Sequence, residues 1–224
     1  MESDMPRIPE PEAMDAAEEA EAYAGADFAE VNTAFVNRLM YFVGKETTAR
    51  CLDLGTGPGD IPVRIIRQGL RWYITATDIS APMLGHAARA VGHTGLNWAI
   101  HLARVDAKGV PFSSDTFDVI FSNSILHHVS DTHRFWSEVK RVAKRRAFVL
   151  LRDLARPANP EAARAIVEKY ASRESTLLQE EYYRSLMAAF TPDEVREQLG
   201  EVGLGLLRVD MVSDRHFDVF GRVP

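Results

Sequence analysis

The sequence predicts an α/β protein, a mainly parallel sheet of seven strands layered between helices and ending in an antiparallel hairpin. Three observations carry this expectation. Five short apolar runs alternate with helical patterns between residues 49 and 155, the rhythm of a parallel sheet covered on both faces. A glycine-rich segment, Gly55-Thr56-Gly57-Pro58-Gly59, directly follows the first run. The last two apolar runs, 204–212 and 216–223, are separated only by Ser213-Asp214-Arg215, too short a link for a crossover between parallel strands.

Taken in order, residues 1–11 carry three prolines and little apolar material and read as an extended arm or disordered tail. Glu12 to Ala24 is rich in Ala and Glu, both good helix formers. A second helical pattern puts Phe28, Val31, Phe35, Leu39 and Phe42 on one face. Strands are then expected at 49–55, 72–80, 97–107, 117–126 and 147–155, with helices at 61–69, 82–91 and 131–144 between them. After Asp153 come three helical patterns with no strand between. The third opens on Thr191-Pro192-Asp193-Glu194, a capping box with proline at the first helical position. The expected organisation is an arm and helical cap over 1–44, then one α/β domain over 45–224 with a helical lid inserted at about 156–190.

The chain has 224 residues, 46% apolar and 26% charged, with a formal net charge of −6. Such a length suits one domain able to bury a core without staples. The acidic balance argues against nucleic acid as a partner. The one dense basic run, Lys140 to Arg146, reads as cations complementing the end of a helix dipole. A single cysteine, Cys51, excludes an internal disulfide and a CxxC metal site. No apolar stretch approaches the roughly 20 residues that cross a bilayer, so a cytoplasmic location is expected. Oligomeric state is not legible.

The glycine segment lets the chain turn tightly and lets backbone N–H groups approach a ligand, with the positive end of the next helix behind them. Its spacing is GxGxG, one residue tighter than the GxGxxG of dinucleotide sites. Asp53 stands two positions before the first glycine; a carboxylate there repels a pyrophosphate and suits an ammonium group. Asp78 ends the second strand, where an acid accepts hydrogen bonds from ribose hydroxyls, a signal that serves a nicotinamide dinucleotide and S-adenosylmethionine alike. Asp106 ends the third, as an acceptor for an adenine amino group or as a plain turn residue.

Together these features resemble the class I S-adenosylmethionine-dependent methyltransferases, a Rossmann-like three-layer sandwich. The likeness is to the small-molecule group that includes ubiquinone and menaquinone biosynthesis methyltransferases. It rests on LDLGTGPGD (52–60), TDIS with Pro82-Met83-Leu84, VDAKGVPF followed by Phe117-Asp118-Val119, SNSILHHV and FWSEVKRVAK. It departs at Arg145-Arg146-Ala147, where the family has Pro-Gly-Gly, a change expected to shorten a turn away from the cofactor.

The resemblance implies S-adenosyl-L-methionine as cofactor, and roles follow residue by residue. Gly55, Gly57 and Gly59 would wrap the methionine portion near Asp53, and Asp78 would hold the ribose with Ile79 and Met83 beside the adenine. Asp106 and Ala107 would meet the adenine edge, while Ser122 and Asn123 face the methyl donor. Tyr23 resembles an aromatic that closes over the cofactor, or packs as part of an amphipathic helix.

His127 and His128 are the candidate bases for an acceptor that must lose a proton; the alternative is that they only orient the loop. Asp153 is a further polar candidate, and no metal site is expected beyond the pair itself. Tyr170, Leu177, Leu178, Tyr182, Tyr183, Met187 and Phe190 in the lid either pack the core or line a pocket for a small, partly apolar or aromatic acceptor. Two rivals remain at this stage: a non-catalytic cofactor-binding or interaction protein on the same fold, and a nicotinamide-dependent oxidoreductase.

Overall fold

The computed structural model describes residues 5–13, 15–44 and 48–224. The start of the arm, Met14 and the expected domain boundary at 45–47 lie outside the described residues. The first half of the chain runs α1 (Ala17–Gly25), α2 (Ala29–Val43), β1 (Ala49–Leu54), α3 (Asp60–Arg67), β2 (Trp72–Asp78), α4 (Ala81–Thr94) and β3 (Ile100–Arg104). There follow β4 (Phe117–Asn123), a single 3-10 turn (Leu126–His128), α5 (Thr132–Val142) and β5 (Ala143–Leu154). The chain closes with α6 (Pro160–Ala171), α7 (Thr176–Ala188), α8 (Pro192–Glu201), β6 (Arg208–Met211) and β7 (His216–Arg222).

The seven strands make one sheet in the order β3-β2-β1-β4-β5-β7-β6. Pairs from β3 to β5 are parallel, and β7 is antiparallel to both its neighbours. Strand order reverses between β1 and β4, so the loops leaving these two strands part and open a crevice at the carboxyl edge. Because both faces of the sheet are covered, the central strands are almost wholly apolar: Cys51, Leu52 and Leu54 in β1 and Val119, Ile120 and Phe121 in β4 are all buried. One core, around Phe135, Trp136 and Phe217, lies under α5 and α8; a second, around Phe35, Trp72 and Phe121, lies under α2, α3 and α4; a smaller third, around Val167 and Leu186, joins α6 and α7. The expected capping box holds, with Thr191 and Glu194 exchanging side-chain and backbone hydrogen bonds.

Element bounds move where tertiary contacts compete with local pattern. The first helix begins at Ala17 and not at residue 12, where Glu12 is instead bonded to Lys108 and Ser130. Of the residues expected on one face of the second helix, Phe35 and Leu39 are buried, while Phe28 is only its N-cap. β3 is confined to Ile100–Arg104, since Ala99 N and Ile100 N turn back onto Leu96 O. β4 stops at Asn123 because Ser124 takes φ +61°. β5 starts four residues early, so only Lys140 and Arg141 of the basic run sit at a helix end. Lys140, Arg141 and Lys144 are held by Val202 O, Glu138 and Asp118. The expected short turn at Arg145-Arg146-Ala147 is instead a register shift inside the β4–β5 ladder, with Arg146 at φ +65°. No helix among the described residues is long and apolar enough to cross a membrane.

Candidate active site

The crevice is a cleft of about 1230 Å³ running from the glycine loop to the β6–β7 turn. A single small-molecule site spans roughly 300–1,000 Å³, so this cleft has room for two ligands side by side.

The three loop glycines serve different ends. Gly55 has φ +70°, and a Cβ there would lie 2.8 Å from Ile125 Cδ1; both backbone and space demand glycine. Gly57 (φ +55°) lines the cleft, and its N–H donates to Asp78 Oδ2 at 2.8 Å. Gly59 does not line the cleft. It caps α3 at φ +82°, and a Cβ would meet Ala87 of α4 at 3.1 Å, so its lack of a side chain sets how closely α3 and α4 pack.

Asp53 is buried at the mouth of this loop, and its Oδ2 has no hydrogen-bond partner. Burial pushes its carboxyl up to about 7, the Asp78 charge adding to the shift and the Thr56 hydroxyl opposing it. Asp78 Oδ1 accepts from Ser80 N and Oδ2 from Gly57 N, which leaves acceptor capacity on a group with about four lone-pair sites. Burial raises its pKa against those backbone bonds. Ile79 and Met83 follow it along the cleft, and Val105, Asp106 and Ala107 continue the wall beyond β3. Asp106 is an exposed turn residue as well: its Oδ1 accepts from Lys108 N at 2.9 Å and lies 3.1 Å from Lys108 Nζ. Tyr23 lines the cleft and packs against Phe28 with the rings tilted and their centroids 4.8 Å apart; burial, then the charges of Asp153 and Asp78, raise its hydroxyl to about 12.

Asn123 lines the cleft but Ser122 does not. Strand alternation turns Ser122 inward, where its hydroxyl donates to Leu54 O at 2.5 Å and ties β4 to β1. The expectation that Ser122 faces the methyl donor is therefore corrected to a bond within the sheet.

The histidines occupy the 3-10 turn after β4 and are unlike each other. His127 is buried, and its Nδ1–H donates to Asp153 Oδ1 at 2.5 Å. Asp153 in turn accepts from Leu126 N and Leu154 N, so its orientation is fixed from three sides. Burial alone would lower the His127 pKa, but Asp153 outweighs it and the net direction is up, while Asp153 itself moves down. His128 donates from Nδ1 to Pro11 O at 3.1 Å; burial and the neighbouring His127 hold it down at about 3. Opposite shifts in adjacent groups separate their acid–base roles.

Sequence reasoning missed the part played by the N-terminal arm. Arg7 donates to Ala188 O at 2.6 Å and His127 O at 2.7 Å, and Ile8 N donates to Met187 O at 3.0 Å. Glu10 Oε1 reaches to 3.5 Å from His127 Nε2, 3.2 Å from His128 Nδ1 and 3.1 Å from Ser185 Oγ. Glu12 bridges Lys108 Nζ and Ser130 N, each at 2.8 Å. Glu10, His127 and His128 are also the one group among the described residues whose ligand atoms all lie within 4.8 Å. No periodicity marks such an arm; its bonds are to residues 96 to 181 positions away.

Two features test whether S-adenosylmethionine suits these residues. The unpartnered Asp53 oxygen matches an ammonium group and opposes a pyrophosphate, and the open space beside Gly57 is where a Cβ would intrude. The residues fit.

Comparison with known proteins agrees. Residues 52–151 match the family described as "Methyltransferase domain". Over 101 residues the chain is 33% identical to the ubiquinone/menaquinone biosynthesis C-methyltransferase of Desulfotalea psychrophila, covering 45% of this chain and 39% of that protein. It is 30% identical over 113 residues to the malonyl-[acyl-carrier protein] O-methyltransferase of Legionella pneumophila, covering 50% and 38%. The match thus spans about two fifths of the length of these curated relatives. A crystal structure of a SAM-dependent methyltransferase from Aquifex aeolicus superposes with a TM-score of 0.69 over 93% of this chain and 98% of that one, at 19% identity. Residues 52–151 are thus similar to a methyltransferase domain, and the chain shares the fold of the Aquifex aeolicus structure.

Proposed function

We propose that this protein transfers the methyl group of S-adenosyl-L-methionine to a small, partly apolar or aromatic acceptor by in-line displacement. The observation that carries the reading is the buried, unpartnered Asp53 carboxylate at the glycine loop, on the same sheet edge as Asp78 and Asp106. Gly55 and Gly57 give the methionine portion bare backbone, Asp53 answers its ammonium, and Asp78 takes the ribose beside Ile79 and Met83. Asp106 and Ala107 bound the adenine. Bound S-adenosylmethionine supplies an electrophilic methyl on a sulfonium; the chain's part is alignment and exclusion of water.

The arm and helical cap over 1–44 and the helices of about 156–190 close the acceptor side, since Arg7, Ile8 and Glu10 bond directly to α7. Where the acceptor must lose a proton, His127 Nε2 takes it, with Asp153 fixing the ring through Nδ1. His128, held neutral, orients the arm through Pro11 O. The chemistry is consistent with a cytoplasmic enzyme acting on a small molecule.

The test is a thermal-shift and calorimetric comparison of S-adenosylhomocysteine with NAD, then product release with an acceptor panel. Ligand at 100 times its dissociation constant stabilises a fold by about 2.7 kcal/mol. Stabilisation by S-adenosylhomocysteine alone, abolished by Asp78→Ala, is expected. Binding of NAD in its place would overturn the reading, and binding without turnover on any acceptor would favour a non-catalytic protein.

A further inference from the structure

The acids at the ends of β1, β2 and β3 and a group of arginines lie at opposite ends of the cleft. Asp106, Asp78 and Asp53 lie along the β3-β2-β1 end of the sheet edge. At the other end, the antiparallel register of β5 and β7 brings Arg152 beside Asp218 and Leu154 beside His216.

Fully buried Asp218 accepts from Arg152 Nε and Nη2 at 2.7 and 2.9 Å and from Arg38 Nε at 2.5 Å. Two guanidinium groups thus share one carboxylate, which leaves a net positive charge in the cleft wall. Arg215, from the β6–β7 turn, lines the same region with its side chain only 14% exposed. Its Nε is buried without a hydrogen-bond partner. The carboxylate nearest to it, Asp214 Oδ1, is 3.7 Å from Nη1, and Asp214 already holds Lys169 Nζ and the Tyr170 hydroxyl. What fixes Arg215 is stacking, its guanidinium lying 3.2 Å from the centroid of the Tyr170 ring. Of the acids on this wall, Glu181 accepts from Arg184; Glu174 is exposed. His216 reports the same field: burial, then Arg215 and Arg152, hold it down at about 4.

A buried guanidinium N–H left without a partner is costly, and a planar fork clamped on an aromatic ring is pre-organised for an oxyanion. We propose that this end of the cleft is an oxyanion subsite, in which Arg215 and the excess charge of the Arg38–Asp218–Arg152 cluster hold a carboxylate or phosphate on the methyl acceptor. Leu178 and Tyr182, on the same wall, receive the apolar body next to it. The word acceptor rests on the methyl-transfer reading; the binding of an anion does not.

The experiment is calorimetric titration of phenylacetate, phenyl phosphate and phenethylamine into the full chain, with and without saturating S-adenosylhomocysteine. The expected result is binding of the anions and not of the amine, the tighter anion telling carboxylate from phosphate. Arg215→Gln should weaken the anion at least about tenfold, the scale of a lost charge-assisted bond, with S-adenosylhomocysteine affinity unchanged. Arg215→Lys, which keeps the charge, should recover part of the loss. An amine bound as tightly as the acids, or anion affinity indifferent to Arg215→Gln, would overturn the subsite. Failure of S-adenosylhomocysteine to bind would instead overturn the methyl-transfer reading, and the titration without it still decides the subsite.

Discussion

Replacing Asp53 with asparagine should make the protein more stable and its cofactor site worse, with a pH dependence that identifies the cause. Asp53 is 2% exposed, its Oδ2 is unpartnered, and its carboxyl sits at about 7 against an ordinary 3.8. Because the folded value is the higher one, the unfolded chain gives up its proton first as pH rises. The folded state then holds more protons, so stability falls with pH from about 4 and levels off above about 7. A shift of about 3 units is worth about 4 kcal/mol at the upper pH limit.

Asparagine keeps the shape and removes this penalty, but its amide hydrogens are left without an acceptor at a cost of about 1–3 kcal/mol. The net expectation is a variant about 1–3 kcal/mol more stable than wild type at pH 8 and less stable at pH 4. Urea unfolding of cofactor-free protein at the two pH values measures it. A difference that does not change between pH 4 and pH 8, or that changes with the opposite sign, would refute the reasoning. S-adenosylhomocysteine should bind the variant more weakly, and with wild type at pH 6 should release a proton as Asp53 ionises against the ammonium, seen as a buffer-dependent heat.

Gly55→Ala puts a side chain into a left-handed conformation and against Ile125 Cδ1 at 2.8 Å; strain of about 1–2 kcal/mol and overpacking of about 1–3 kcal/mol should lower stability by roughly 2–5 kcal/mol, read from the urea midpoint. Arg146→Gly should act the other way, since Arg146 holds φ +65° and its side chain makes no compensating hydrogen bond among the described residues; a gain of about 1 kcal/mol is expected, and a loss would mean that the side chain matters more than the backbone. Burial raises the Glu12 carboxyl, but Lys108 and Ser130 outweigh it and bring the value down to about 2. The stability this contributes is present above the ordinary carboxylate range near 4.5 and is lost as pH falls toward 2. Glu12→Gln should therefore speed proteolysis or hydrogen exchange of the arm at pH 7 and leave little difference from wild type below pH 3.

The strand–helix alternation, the glycine loop and the acids ending β1, β2 and β3 were legible because each is a local consequence of sequence. A parallel strand reads as an apolar run, a left-handed turn calls for glycine, and topology then carries Asp53, Asp78 and Asp106 to one edge. The two histidines were also legible as neighbours, but not their division of labour. That depends on Asp153, 26 residues along the chain, lying against one ring and Pro11 O against the other.

The sequence by itself therefore determined the fold and the kind of cofactor, since both follow from patterns only a few residues long. Tertiary structure decided which side chains face the cleft. It turned Ser122 inward to Leu54 O, assigned Gly59 to helix packing, laid the proline-rich arm across the histidines, and gathered Arg38, Arg152 and Arg215 along the β5–β7 end of the cleft. The physical reason is that orientation, burial and net local charge come from contacts between distant segments, and these leave no periodicity in the chain to be read.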